Sequence, residues 1–151
     1  IVRLHSLSFS INNKALIDIA KKYNVLWQTT TTSNFRSNPN QYLWITDILI
    51  SDLSGIISQF MVLDRPIIYI EPDENIDPWK DSDMPKSFRA GHIIKTPEEF
   101  SEAVEDSILY SDRYSKERKE FLSKIYYNLD GKATNRAVEA ILDFAENQGL
   151  K

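Results

Sequence analysis

The sequence predicts an α/β fold built on a parallel sheet flanked by helices. Strand-like and helix-like apolar patterns alternate along the first two thirds of the chain, and each crossover helix in such an alternation must cover a face of one parallel sheet. Two strand-like runs, Ile48-Leu49-Ile50 and Ile67-Ile68-Tyr69-Ile70, are apolar without interruption, which marks strands buried on both faces rather than one. The length of 151 residues and hydrophobic content of 42% suit one well-cored domain over 1–151 rather than two.

The elements follow in order. Val2 and Leu4 alternate with Arg3 and His5 as a short strand, and a polar connection runs on to Asn12. Ala15, Leu16, Ile19, Ala20 and Tyr23 share one face of a helix that Asn12 or Asn13 can cap and Asn24 ends. Residues 24–28 read as a second strand, 29–39 as a polar loop, and 40–45 as a helical turn feeding a third strand over 46–51. Ile56, Ile57, Phe60, Met61 and Leu63 give a helix that Asp64-Arg65-Pro66 stops, and residues 66–70 form the next strand. Residues 71–90 are acidic, aperiodic and hold three of the six prolines; this is a long loop at the carboxyl end of a strand, where open α/β sheets place their ligand chemistry. A last strand spans 91–95. Thr96-Pro97-Glu98-Glu99 then supplies an N-cap, a first-turn proline and a third-position glutamate. Helical patterns cover 100–110, 115–129 and, after a break at Asp130-Gly131, 133–148.

Composition narrows the function classes. A net charge of -4 and a pI near 5.2 leave no clustered cationic excess for a nucleic-acid surface, so no nucleic-acid partner is expected. With no cysteine there is no disulfide framework and no thiolate metal site. No apolar run approaches the roughly 18–20 residues of a membrane span, and no basic leader precedes an apolar core. The expected setting is cytoplasmic. The strand-like start at Ile1, without Met, reads as a chain cut from a longer protein.

The residues with most chemical content are Ser51-Asp52-Leu53-Ser54-Gly55, between the third strand and its helix. A strand ending there and turning into a helix gathers free backbone N–H groups at one point, adds the Ser54 hydroxyl, and lets a ligand approach Gly55 closely. The spacing is neither a dinucleotide glycine pattern nor a P-loop. Two readings stay open on spacing alone: an ordinary N-cap made by Asp52 or Ser54, and a cradle for a phosphate. His5, at a strand end, could exchange a proton with a hydroxyl or stabilise phosphoryl charge, or be a hydrogen-bonded surface residue. His92 has no suggestive partner and takes the structural reading. The acidic loop lacks the spacing of a cation site and reads as solvated charge, so no metal is expected. Arg89 and Lys95 flank the last strand and could meet phosphate or be ordinary cations beside a loop. Residues 115–121 read as a solvated helix face, and Arg136 as an anchor for the closing helix.

Residues 46–73, ITDILISDLSGIISQFMVLDRPIIYIEPD with Ile45, resemble the central signature of the CDP-glycerol glycerophosphotransferase family, the teichoic acid synthases. There an apolar strand ends in Thr-Asp-Tyr-Ser-Ser, followed by a helix, Lys-Pro and another apolar strand. IVRLHS at the start, AGHIIKTPEEFSEAV at 90–104 and LDGKATNRAVEAIL at 129–142 resemble three further segments of the family in the same order. The resemblance implies the C-terminal half of a GT-B architecture, a Rossmann-like domain that holds the nucleotide across a cleft from a second one. It places Ser51, Asp52, Ser54 and Gly55 on the motif that holds the diphosphate of CDP-glycerol, and His5 on a histidine that acts on the transferred phosphate. Leu53 stands for the family's Tyr, Gly55 for its second Ser, and Gln59, an amide able to accept from a ribose hydroxyl, for an acidic residue. The implied partners are a nucleotide-activated alditol or sugar donor, used as substrate with no resident cofactor, and a lipid-linked acceptor met by an N-terminal half outside these residues. The full-length protein would then sit peripherally at the inner face of the plasma membrane, and these 151 residues alone would be inactive. A GT-B sugar transferase or nucleotide-sugar epimerase also suits the corner, as does, in another class, a non-catalytic α/β nucleotide-binding or regulatory module.

Overall fold

A computed structural model of the chain describes residues 2–3, 13–25, 27–28, 40–52, 54–70 and 90–149. The chain divides into two compact units, Ile1–Leu43 and Trp44–Lys151.

In the first unit, strand β1 (Val2–Arg3) pairs in parallel with β2 (Trp27–Gln28), and helix α1 (Asn13–Lys22) lies between them in sequence. The end of α1 is set by Asn24. Its backbone takes a left-handed φ of 53°, a conformation Asn tolerates better than most residues. The Val25 amide can then donate to the Ala20 carbonyl at 2.7 Å and the Asn24 amide to that of Lys21 at 3.2 Å, the two bonds of a Schellman motif. A short helix, α2 (Asn40–Leu43), closes this unit.

The second unit is a three-stranded parallel sheet in the order β3 (Leu49–Ser51), β4 (Ile67–Ile70), β5 (His92–Ile94). Helix α3 (Ile56–Met61) connects β3 to β4; α4 (Phe100–Leu109), α5 (Ser115–Ile125) and α6 (Ala133–Asn147) follow the sheet. This is the parallel, helix-flanked α/β arrangement expected of a Rossmann-like fold. The register aligns Ile50 with Ile68 and Ser51 with Tyr69, then Ile68 with His92 and Ile70 with Ile94. The core is centred on β4: Ile67 and Ile68 are fully buried and Tyr69 nearly so. On one face Ile68 and Ile94 pack with Ala103 of α4, joined by Ile48 and Val104. Ile57, Phe60 and Met61 of α3 and Phe121 of α5 are also buried, each such side chain contributing about 1.5–3 kcal/mol.

Three local expectations are corrected. Of the two uninterrupted apolar runs, only 66–70 makes a largely buried strand; Ile50 of β3 is 40% exposed, and among the described residues β3 pairs with β4 alone. The Thr96 hydroxyl makes no cap bond. Pro97–Glu99 instead forms a 3-10 turn ahead of α4, and the Glu99 carboxylate accepts from the Lys95 amide at 2.7 Å. Nor is 115–121 solvated throughout, since Arg118 is buried in it.

Candidate functional site

The corner after β3 lies at the carboxyl edge of the parallel sheet. Ser51, the last residue of β3, is half-buried opposite Tyr69, whereas Asp52, Ser54 and Gly55 are exposed. Gln59, one turn along α3, is exposed as well. The structure therefore brings Ser51, Asp52, Ser54 and Gly55 together on one turn, with Gln59 on the helix that leaves it. Leu53 and His5 lie outside the described residues.

No side chain caps α3. The ordinary N-cap reading of Asp52 and Ser54 is thereby set aside: the helix opens on Gly55, and the Ile57 amide donates to the Ser54 carbonyl at 3.0 Å. Ser58 turns back to donate its hydroxyl to the Gly55 carbonyl at 3.0 Å. Gly55 has a right-handed φ of -59°, and a Cβ added there would meet nothing within 4 Å. The backbone does not require glycine. The residue leaves open space in front of the main chain.

The corner is held from behind by two polar knots. Arg65, after α3, donates through Nη1 to the carbonyls of Trp44 (2.9 Å) and Thr46 (2.7 Å), fixing the approach to β3. Asp64, with a left-handed φ of 51°, accepts from Arg118 Nε at 2.8 Å, from Ser115 at 2.7 Å and from Lys119 at 3.0 Å. Arg118 also donates to the carbonyls of Asp64 and Ser111, so three acceptor contacts offset the cost of burying its charge. Burial alone would raise the Asp64 carboxyl pKa, but the bonds from Ser115, Lys119 and Arg118 outweigh it and hold the group below the usual carboxylate range. Burial pushes the Tyr69 phenol well above its ordinary value, which keeps it neutral beside the corner.

Away from this edge, His92 has a partner that sequence spacing did not show. Its Nε2 donates to Asp106 Oδ2 at 2.6 Å, Arg113 reaches the same oxygen at 2.7 Å, and the Tyr114 ring stands edge-on at 5.2 Å. His92 opens β5, two strands across from the corner, and the cluster ties β5 to α4. Arg136 is an anchor as expected. It grips both oxygens of Asp130, which also accepts from the Lys132 amide at the start of α6.

A family model described as CDP-glycerol:poly(glycerophosphate) glycerophosphotransferase matches residues 2–143. A teichoic acid poly(ribitol-phosphate) polymerase of Bacillus spizizenii is 30% identical over 114 residues, which cover 73% of this chain and 17% of that protein. A teichoic acid ribitol-phosphate polymerase of Staphylococcus aureus is 31% identical over 132 residues, 86% of this chain and 22% of that protein. The chain thus spans only 17% to 22% of the length of these relatives. No solved structure matches it.

Proposed function

The chain belongs to the CDP-glycerol:poly(glycerophosphate) glycerophosphotransferase family, and from that premise we propose that it is the donor-binding part of a teichoic acid polymerase. The donor is a CDP-alditol, CDP-glycerol or CDP-ribitol. The observation that carries the reading is the corner itself: Ser51, Asp52, Ser54 and Gly55 at the carboxyl edge of a parallel sheet, with no side chain capping the helix behind them.

In the reaction, an acceptor hydroxyl attacks the β-phosphorus of the donor in line, the bond to the CMP oxygen breaks, and CMP leaves. The hydroxyls of Ser51 and Ser54 and the main chain at Gly55 donate to diphosphate oxygens, where charge shifts toward the leaving group. Asp52, an acceptor when ionised, suits a hydroxyl of the ribose or alditol next to the phosphates, and Gln59 a second one. His5 takes the proton from the attacking hydroxyl. The acceptor, a lipid-linked polyol phosphate chain, is met by residues beyond this segment, at the inner face of the membrane. Among the described residues, no helix is long and apolar enough to cross one.

Two measurements test the proposal. Calorimetric titration of these 151 residues should show binding of CDP-glycerol or CDP-ribitol without turnover, and Ser54→Ala should weaken it about tenfold or more, the effect of one lost hydrogen bond to a charged group. The full-length protein should release CMP from the same donor when a polyol phosphate primer is present. A clear preference for UDP-sugars in the titration would overturn the proposal.

A further inference from the structure

Positive charge is what the corner lacks. The residues from Ser51 to Gly55 offer hydroxyls and main chain but no cation, and Asp52 adds a negative charge of its own. The chain as a whole carries -4, so an anion brought to this edge needs a positive group placed locally. The described cations of the second unit differ in where the fold puts them. Arg65 comes before β4, and those from Arg113 to Arg136 belong to the helices after the sheet and the turns that join them. Lys95 directly follows β5, at the carboxyl edge that also carries the corner.

Register and alternation set Lys95 on the corner's side of the sheet. Ser51 is level with Tyr69 and Tyr69 with Ile93, so these three share one face. Ile94, between Ile93 and Lys95, packs on the other face with Ala103 of α4. Continued one step past the strand, the alternation returns Lys95 to the face of Ser51. Two strand spacings, about 10 Å, separate β5 from β3, a gap that a diphosphate and the flexible stem of a lysine bridge together. The main chain is pinned at this point, because the Lys95 amide donates to the Glu99 carboxylate at 2.7 Å. Resting on the reading of the corner as a CDP-alditol site, we propose that Lys95 meets the donor's diphosphate from β5 while the hydroxyls and main chain of the corner hold it from β3. A cation there offsets the repulsion from Asp52 in the bound donor and the charge that gathers on the CMP oxygen as its bond to phosphorus breaks.

The test is a calorimetric titration of the 151-residue chain and its Lys95→Met and Lys95→Arg variants with CDP at low and high salt. Methionine keeps the apolar stem and removes the charge, and at this exposed position the thermal midpoints should stay within about 2 °C of the parent's. Lys95→Met should bind CDP about tenfold or more weakly at low salt, as expected when a charged hydrogen bond is lost, and its affinity should fall less with added salt than the parent's. Lys95→Arg should restore most of the affinity. Unchanged CDP binding by Lys95→Met, an unaltered salt dependence, or equal losses in both variants would overturn the inference while leaving the corner's role intact. A collapse of the thermal midpoint in Lys95→Met would also overturn it, by showing that Lys95 serves the fold. Failure of the parent sequence to bind CDP would instead sink the donor-site reading itself.

Discussion

At the scale of single residues, Asp64 and Arg118 show what a pattern of charges along a chain conceals. Arg118 lies in the charged run 115–120, and nothing in that run distinguishes it from Lys116 or Lys119, yet it is 1% exposed. Its partner is 54 positions away, and only the tertiary fold brings the two together. Because the folded-state pKa of Asp64 is lowered, its contribution to stability is complete above the unfolded carboxylate's value, near 4, and is lost as the pH falls through the folded value. Asp64→Asn isolates this effect, since Asn accepts the left-handed φ as readily as Asp does. The variant should lose about 3 kcal/mol at neutral pH, the low end for a broken buried pair because Asp64 itself is one-third exposed. Its thermal midpoint should also change less than the parent's between about pH 4 and pH 2. Thermal unfolding followed across that range by circular dichroism reads both outcomes.

At the scale of elements, the order of strands and helices was legible because each has a local cause. Asn24 ends α1, Asp64 and Pro66 end α3, and Asp130-Gly131 breaks the chain before α6, where Gly131 takes a φ of 74°. What was not legible depends on neighbours in space. The exposure of Ile50 depends on what packs over β3, which its own segment does not encode. The missing cap at Thr96 reflects the choice of a 3-10 turn, in which Glu99 serves the Lys95 amide. The same limit applies to Gly91, whose segment does not show why glycine is needed. In the fold its Cα lies against β4: an added Cβ would come within 2.0 Å of the Ile67 carbonyl oxygen and 3.1 Å of the Tyr69 ring. The obstacle is backbone in the central strand, which cannot swing aside as a side chain could. Gly91→Ala should therefore cost about 3 kcal/mol or more and lower the thermal midpoint by roughly 10 °C. A midpoint within 2 °C of the parent, on the order of a surface change, would show that β5 shifts freely against β4.

At the scale of the whole molecule, the candidate site was legible only as far as it lies in one local segment. Ser51, Asp52, Ser54 and Gly55 could be read together because they are contiguous, whereas the pairing of Ser51 with Tyr69 needs the register of β3 against β4. The surface outside the site carries a further consequence. α6 has no buried residue, and Val138, Ile141, Leu142 and Phe144 are 49% to 66% exposed. Ile108 and Leu109 on α4 are exposed to 66% and 72%. With a net charge of only -4 on 151 residues, little repulsion opposes association through such apolar surface. Because these side chains of α6 are uncovered, replacing them removes no core contact. The double substitution Ile141→Lys, Leu142→Glu keeps a helix-forming sequence, so the thermal midpoint should stay within about 2 °C. Light scattering of concentrated solutions should fall at the same time. A large drop in midpoint would mean that α6 is covered within the 151-residue chain in solution, and unchanged scattering would mean that association runs through another surface.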